Sequence, residues 1–129
     1  MTRLSIRTLL VIAASLAAIS TASAASPTKT GTTSKGPSLT DHRGMSLYTF
    51  DKDMDGKSVC NGPCAANWPA LKAEAGDRAA DNYSVLTRDD GSKQWAYKGK
   101  PLYTFVQDLK SGDIKGDGFL NGTWHLAQP

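Results

Sequence analysis

The sequence has few of the residues, and none of the short motifs, on which most enzymes depend. Only two histidines and two cysteines occur among its 129 residues, and neither His42 nor His125 lies beside a candidate nucleophile. The nucleophile elbow G-x-S-x-G, the zinc motif H-E-x-x-H, the phosphate-binding G-x-x-x-x-G-K-[ST] and the haem motif C-x-x-C-H are all missing. We therefore expect no enzymatic activity.

A strong excess of either charge is also missing. The chain has 15 Lys and Arg against 12 Asp and Glu, a formal net charge of +3. Two of the cations, Arg3 and Arg7, lie in an N-terminal segment that we expect to be removed, which lowers the cations to 13 and the net charge to +1. Because nucleic-acid binding normally requires a clustered basic surface, we expect no nucleic-acid partner.

The chain contains no apolar run long enough to span a membrane, which takes roughly 18 residues. Its one apolar stretch runs from Leu9 to Ile19, follows two arginines and precedes Ala22-Ser23-Ala24. This pattern predicts a secretory signal peptide over residues 1–24. No cysteine follows the cleavage site, so we expect an exported protein, periplasmic or secreted, that is soluble and has no membrane anchor after cleavage.

Large apolar side chains are absent from residues 25–37, which are Ser, Thr, Gly, Lys, Pro and Ala. Such a segment buries too little surface to offset its ordering entropy. We therefore expect a flexible leader over 25–37 and one folded domain over 38–129.

What the chain does contain is an internal repeat. Residues 44–53 (GMSLYTFDKD) and 99–108 (GKPLYTFVQD) are identical at six of ten positions, at a constant offset of 55. Trp68 and Trp124 match at an offset of 56, which implies one inserted residue. A duplication of this length predicts two equivalent units, which we place at about 39–71 and 83–127.

Each unit has the pattern of short antiparallel strands. In L-Y-T-F, successive side chains alternate between the two faces of a strand, and turn residues recur about every ten positions. We predict strands over 39–41, 47–50, 83–88, 93–97, 101–106 and 123–127. Helix is expected only in short pieces, over 65–67 and 70–75. The fold class is therefore a small, mainly β, antiparallel domain with two pseudo-symmetric sequence repeats.

These residues carry a resemblance to a known bacterial family. The segments Tyr48-x-Phe50-x-x-Asp53 and Tyr103-x-Phe105-x-x-Asp108 resemble its Y-x-[FWY]-x-x-D signature. The likeness continues through Gly56 to Leu71, with Cys60, Cys64 and Trp68-Pro69, and resumes at Gly116-Asp117-Gly118 and Trp124. The family is the secreted-repeat or predicted-lipoprotein family, whose biochemical function is uncharacterised. The resemblance therefore implies a domain type and an exported location, but no activity.

Cys60 and Cys64 form the first candidate chemical site. Outside the cytoplasm two thiols this close usually form a disulfide, and Asn61-Gly62-Pro63 supplies the turn between them. Two alternatives remain open: a redox-active pair, and a periplasmic copper site. Histidine and methionine are soft ligands that could complete a copper site. The candidates in this chain are His42, Met45, Met54 and His125.

The run Asp51-Lys-Asp53-Met-Asp55-Gly56 matches the first half of a calcium-binding EF-hand loop. The acidic residue due at the twelfth position is Gly62, however, and the second unit keeps only Asp108. We therefore expect Asp53 and Asp108 to accept backbone N–H bonds where the chain leaves each strand, with calcium as the alternative.

The aromatic residues are the last candidate site, because they either share one core or line a ligand groove. They are Tyr48, Phe50, Trp68, Trp95, Tyr97, Tyr103, Phe105 and Trp124. The function that the sequence favours is a non-catalytic exported binding or structural module without a cofactor, whose partner the sequence does not identify. The alternatives are the copper protein and a thiol oxidoreductase.

Overall fold

The computed structural model describes residues 26–129, so the predicted signal peptide over 1–24 lies outside the described residues. The described part is mainly β, as predicted, with seven strands and two short helices. The strands are β1 (Lys29–Thr33), β2 (Gly36–Thr40), β3 (Tyr48–Phe50), β4 (Tyr83–Thr87), β5 (Lys93–Tyr97), β6 (Lys100–Pro101) and β7 (Trp124–Leu126), and the helices are α1 (Pro63–Asn67) and α2 (Phe119–Gly122). Within this part, neither helix has the length and apolar content needed to cross a bilayer.

All the strand pairs are antiparallel. β1 and β2 form a hairpin, β3 pairs with β7, and β4, β5 and β6 form a three-stranded sheet in that order. The pairing of β3 with β7 places Tyr48 opposite Leu126 and Phe50 opposite Trp124. The strand at the centre of the first repeat therefore pairs with the last strand of the second repeat.

Each repeat pairs with a segment of the other repeat. In one half of the molecule, Leu47 N–H donates to Leu39 O and Ala127 N–H donates to Leu47 O, at 3.0 and 2.8 Å. In the other half, Leu102 N–H donates to Trp95 O and Leu71 N–H donates to Leu102 O, at 3.0 and 2.9 Å. Each half is thus completed by the C-terminal segment of the other repeat, and the two repeats are interlocked.

The two halves meet at the paired tyrosines. Tyr48 N–H donates to Tyr103 O at 2.8 Å, and Tyr103 N–H donates to Tyr48 O at 3.0 Å. This reciprocal backbone pair joins equivalent residues, so the pseudo-twofold axis that relates the repeats passes between them.

Side-chain alternation divides the interior into two clusters. Tyr48 and Tyr103 lie in one cluster, with Trp68, Phe105 and Trp124. Leu47 and Leu102, one residue earlier in each repeat, lie in the second, with Leu39 and Ala127. Because neighbours in a strand point to opposite faces, the L-Y-T-F segments contribute to both clusters at once.

The structure corrects the prediction of a flexible leader over residues 25–37. Residues 29–40 form the β1–β2 hairpin, in which Ser38 is fully buried and Leu39 is 3 % exposed. Leu39 N–H donates to Ala127 O at 2.9 Å, which ties the hairpin to the end of the chain. The prediction failed because it counted only large apolar residues, whereas threonines have high strand propensity and the partner segment lies far away in sequence. The first repeat therefore begins near residue 29 rather than 39.

Two local predictions are also corrected. Residues 70–75 are not helical, because Ala70 and Lys72 form isolated β-bridges to Tyr103 and Gln94, and tertiary pairing overrides alanine's helix preference. The predicted strand over 101–106 is reduced to β6 and the single bridge position at Tyr103. The prediction of a helix over 65–67 is confirmed by α1.

Candidate functional site

The signature tyrosines and aspartates bond across the repeats rather than within them. Tyr48 Oη donates to Asp108 Oδ2 at 2.6 Å, and Tyr103 Oη donates to Asp53 Oδ2 at 2.5 Å. Both phenols are completely buried. The Y-x-F-x-x-D motif is therefore a clasp in which each repeat supplies the donor for the other repeat's acceptor.

The second carboxylate oxygen has the role that the sequence predicted. Asp53 Oδ1 accepts from Val59 N at 2.8 Å, and Asp108 Oδ1 accepts from Lys115 N at 2.9 Å. The loop that follows each motif is thus fixed by a backbone N–H bond to its own aspartate. Sequence reasoning identified this half of each clasp and missed the tyrosine.

Burial controls the electrostatics of both clasps. Desolvation raises the pKa of Tyr48 and Tyr103 far above 10.0, and the hydrogen bond to a carboxylate raises it further. Desolvation also raises the pKa of Asp53 and Asp108, against the opposing effect of the tyrosine hydrogen bonds. In both clasps the phenol therefore keeps its proton.

The motif phenylalanines and the matched tryptophans form one continuous stack. The ring centroids are 4.2 Å apart for Phe50 and Trp124, 3.8 Å for Trp124 and Trp68, and 4.0 Å for Trp68 and Phe105. The order alternates between repeats, so each Phe stacks on the other repeat's Trp. Tyr48 and Tyr103 contact the stack edge-on, with centroids 5.4 Å from Trp68 and 5.1 Å from Trp124.

The expectation that the aromatic residues share a core fits six of the eight. Trp95 and Tyr97 lie apart from the stack, half-buried and in contact with Tyr83. The close packing of the stack also explains Gly116, where a Cβ would lie 2.6 Å from the Trp68 ring.

The two cysteines are joined as a disulfide, with Cα atoms 5.2 Å apart, within the range for such bonds. Their sulfurs are therefore bonded to each other rather than available to copper. His42 Nε2 lies 2.8 Å from Ser26 O, and His125 Nε2 lies 2.8 Å from Asp51 Oδ2. Met45 is half-buried and Met54 is 67 % exposed.

The acidic run is likewise dispersed rather than gathered around a cation. Asp51 faces His125, Asp53 belongs to the clasp, and Asp55 lies against the backbone of Gly99. Across residues 26–129, no group of three or more His, Cys, Asp or Glu side chains is arranged to hold a metal ion.

An apolar groove is lined by all four rings of the stack, and we call it the aromatic groove. One wall is α1, with Pro63, Cys64 and Asn67, and the other is formed by Phe119 and Leu120. Edges of the stacked rings form the floor, beside Gln107. The groove has a volume of about 320 Å³, and none of its lining residues carries a charge.

The groove residues Phe119 and Leu120 belong to α2, a single short turn whose backbone is not helical at Leu120 and Asn121. Four residues of the segment 118–122 have left-handed backbone, with φ of 79° at Gly118, 52° at Leu120, 55° at Asn121 and 81° at Gly122. Leucine rarely adopts this conformation, yet here it leaves Leu120 60 % exposed. Strain of this kind is concentrated at functional segments, so the loop marks the groove as the candidate binding site.

A double-mutant cycle should show that the clasps join the repeats. We expect Tyr48→Phe and Asp108→Asn to have a coupling energy of about 1–2 kcal/mol in the free energy of unfolding, because they remove the two ends of one charge-assisted bond. Tyr48→Phe and Asp53→Asn belong to different clasps, and should add within about 0.5 kcal/mol. Urea unfolding of the single and double variants measures both. Stronger coupling of Tyr48 to Asp53 than to Asp108 would contradict the exchanged pairing.

Comparison with known families agrees with the presence of two repeats. A family model described as a secreted repeat of unknown function matches the chain twice, over residues 29–72 and 84–128. The first match begins with β1, so it includes the hairpin that the composition had predicted to be a leader. No significant match was found among curated proteins or among solved structures.

Proposed function

Because the chain belongs to the family of secreted repeats of unknown function, we propose that it is a non-catalytic exported binding module whose ligand site is the aromatic groove. The observation that carries this proposal is the exposed Leu120, which has left-handed backbone and lines the groove together with the stacked rings. Backbone strain and the exposure of a large apolar side chain both lower stability, which is unexpected in a loop with a purely structural role.

The lining of the groove defines the ligand class. Binding sites for small molecules are concave, mostly apolar and usually 300–1,000 Å³ in volume, with a few polar groups that fix orientation. The aromatic groove lies at the lower end of this range. Gln107 and Asn67 are its polar side chains, and Asn67 already donates to Pro63 O at 3.1 Å. We therefore assign the site to a ligand that carries an uncharged, apolar ring.

Two other concave surfaces fit such a ligand less well because they are charged. The surface beside β6 contains Asp51, Asp53, Asp55, Lys98 and Lys100. The surface beside the His42 turn contains Asp41, Arg43, Lys72 and Asp77. Transfer of an apolar ring into either surface would desolvate charged groups without pairing them.

Titration with indole, a neutral two-ring probe, tests the proposal. We expect amide NMR shifts confined to the residues around the groove, in α1 and Trp68, in residues 105–107 and in residues 118–122. The dissociation constant should be about 1 mM or tighter. Leu120→Asn should weaken binding at least about tenfold, because it removes the apolar wall. Asparagine tolerates left-handed backbone better than leucine does, so the variant should fold.

The matched control is Leu109→Asn, which alters a leucine that is 80 % exposed and does not line the groove. It should leave indole binding unchanged, and the anion indole-3-acetate should bind more weakly than indole. Equal effects of the two asparagine variants, or shifts spread over the charged surfaces, would refute the assignment.

A further inference from the structure

Arg88 is a buried cation whose direct hydrogen-bond partners are all neutral. Its side chain donates to Gln94 Oε1 at 2.7 Å, Ser58 Oγ at 3.0 Å and Cys60 O at 2.6 Å. The residue is only 7 % exposed, and the ion pairs found within residues 26–129 do not include it. A buried charge normally has a counter-ion, so this guanidinium is placed to receive an anion.

The nearby carboxylates, Asp53 and Asp90, do not hydrogen-bond to Arg88. Burial raises the pKa of Asp53, and the charge of Arg88 opposes that effect, but the Asp53 oxygens are bound by Tyr103 Oη and Val59 N. Asp90 binds Ser92 in the exposed β4–β5 turn. Among the residues that hydrogen-bond to Arg88, Cys60 is the one that can become an anion. Arg88 contacts it through the backbone carbonyl, and its sulfur gains a charge on loss of the bond to Cys64.

The two ends of the disulfide differ in access to solvent. Cys60 is completely buried, whereas Cys64 is half-buried and lies on the wall of the aromatic groove. An incoming thiol therefore reaches the sulfur of Cys64, while Cys60, whose backbone carbonyl oxygen accepts from Arg88, remains inside the protein.

We propose that Cys60–Cys64 is an exchangeable disulfide, at which an external thiol attacks Cys64 and Arg88 stabilises the departing Cys60 thiolate. The exchange requires no ligand in the groove, so it is independent of the proposed function.

The chemistry is that of thiol–disulfide exchange with a small or protein thiol as reductant. The external thiolate forms a bond to Cys64 Sγ, the Cys60–Cys64 bond breaks, and its electron pair remains on Cys60 Sγ. A second external thiolate then attacks the mixed disulfide and releases Cys64. The two reductant thiols leave joined as a disulfide, and their two electrons and two protons remain on the cysteine pair.

A nearby cation favours this reaction in two ways. Stabilisation of the leaving thiolate accelerates its departure, and stabilisation of the reduced form makes the pair easier to reduce at equilibrium. Removal of the charge should therefore slow reduction and shift the equilibrium towards the disulfide. A purely structural disulfide would show neither effect.

The experiment incubates the folded chain with reduced glutathione at pH 7, stops the reaction with acid and locates the adduct by mass spectrometry. We expect glutathione on Cys64. Equilibration in glutathione redox buffers should show that Arg88→Gln favours the disulfide by about tenfold, which corresponds to about 30 mV, and slows reduction by a similar factor. Arg88→Lys retains the charge and should remain within about threefold of the unaltered chain.

Arg43→Gln is the matched control, because it removes an arginine whose side chain is 85 % exposed. Equal behaviour of the Arg88→Gln and Arg43→Gln variants would overturn the role of Arg88. If Arg88→Gln does not fold, the unaltered chain still decides the proposal. An adduct on Cys60, or a disulfide that resists glutathione until the protein is unfolded in urea, would overturn it.

Discussion

Replacement of Trp124 by alanine should lower the free energy of unfolding by about 3–5 kcal/mol, as is usual for large aromatic residues in a core. Trp124 is completely buried and contacts Phe50, Trp68 and Tyr103. Its removal leaves a gap in the middle of the four-ring stack, where Phe50 and Trp68 lose their shared partner. Because small domains are stable by only about 5–15 kcal/mol, this single change should leave the protein close to unfolding.

The pseudo-symmetry makes this prediction sharper. Trp68→Ala should cost about as much as Trp124→Ala, since Trp68 is 2 % exposed and occupies the equivalent position in the stack. Trp95→Ala is the control, because Trp95 is half-buried and its aromatic contact is Tyr83 alone, edge-on at 6.4 Å. It should cost about 1–2 kcal/mol.

Urea unfolding, followed by far-UV circular dichroism, measures all three variants. Circular dichroism is preferable to fluorescence here because each variant removes one of the three tryptophans. A cost at Trp95 equal to that at Trp124, or a large difference between Trp68 and Trp124, would contradict the shared stack.

Much of this core could be predicted from the sequence. Identical L-Y-T-F segments predicted equivalent strands, and alternation correctly separated Leu47 from Tyr48. The matched tryptophans were identified by their offset alone. These predictions are confirmed because they rest on a local sequence pattern that occurs in both repeats.

What the sequence did not reveal is the exchange between the repeats. An offset of 55 shows that Asp53 and Asp108 are equivalent, but gives no reason for Tyr48 to bond Asp108 rather than Asp53. That choice follows from the pairing of β3 with β7, a contact between residues more than seventy positions apart. The β1–β2 hairpin was missed for the same reason, since Leu39 gains its partner from Ala127.

The position of Arg88 was also outside the reach of sequence reasoning. It follows the strand segment Tyr83–Thr87 and precedes Asp89-Asp90-Gly91, where a charged residue is expected in solvent. Its burial depends on Ser58, Gln94 and the Cys60 carbonyl, contributed by two other segments. The acceptors for a buried guanidinium are assembled only by tertiary structure.

The free energy of unfolding should fall steeply as the pH rises above 10. The pKa of Tyr48 and of Tyr103 is raised far above 10.0 by burial, whereas in the unfolded chain both phenols ionise near pH 10. Since the folded state holds these two protons more tightly, it is stabilised fully below pH 10 and loses that stabilisation as the pH rises. The loss for the pair is about 2.7 kcal/mol per pH unit, or about 4 kcal/mol by pH 11.5.

The buried aspartates contribute with the same sign but in another range. Burial raises the pKa of Asp53 and Asp108 above 3.8, so their effect on stability begins near pH 3.8 and is separate from the alkaline loss. Urea midpoints measured between pH 9 and 11.5 therefore isolate the tyrosines.

The double variant Tyr48→Phe/Tyr103→Phe should show a shallower loss over that range, although it begins from lower stability because two charge-assisted hydrogen bonds are gone. The matched control, Tyr83→Phe/Tyr97→Phe, removes the other two tyrosines and keeps both clasps, so it should retain the steep loss. Absorbance at 295 nm adds an independent test, because ionisation of Tyr48 and Tyr103 should coincide with unfolding. If both phenols titrate near pH 10 while circular dichroism still reports the folded protein, the clasps do not hold their protons and the interlocked core is not the structure in solution.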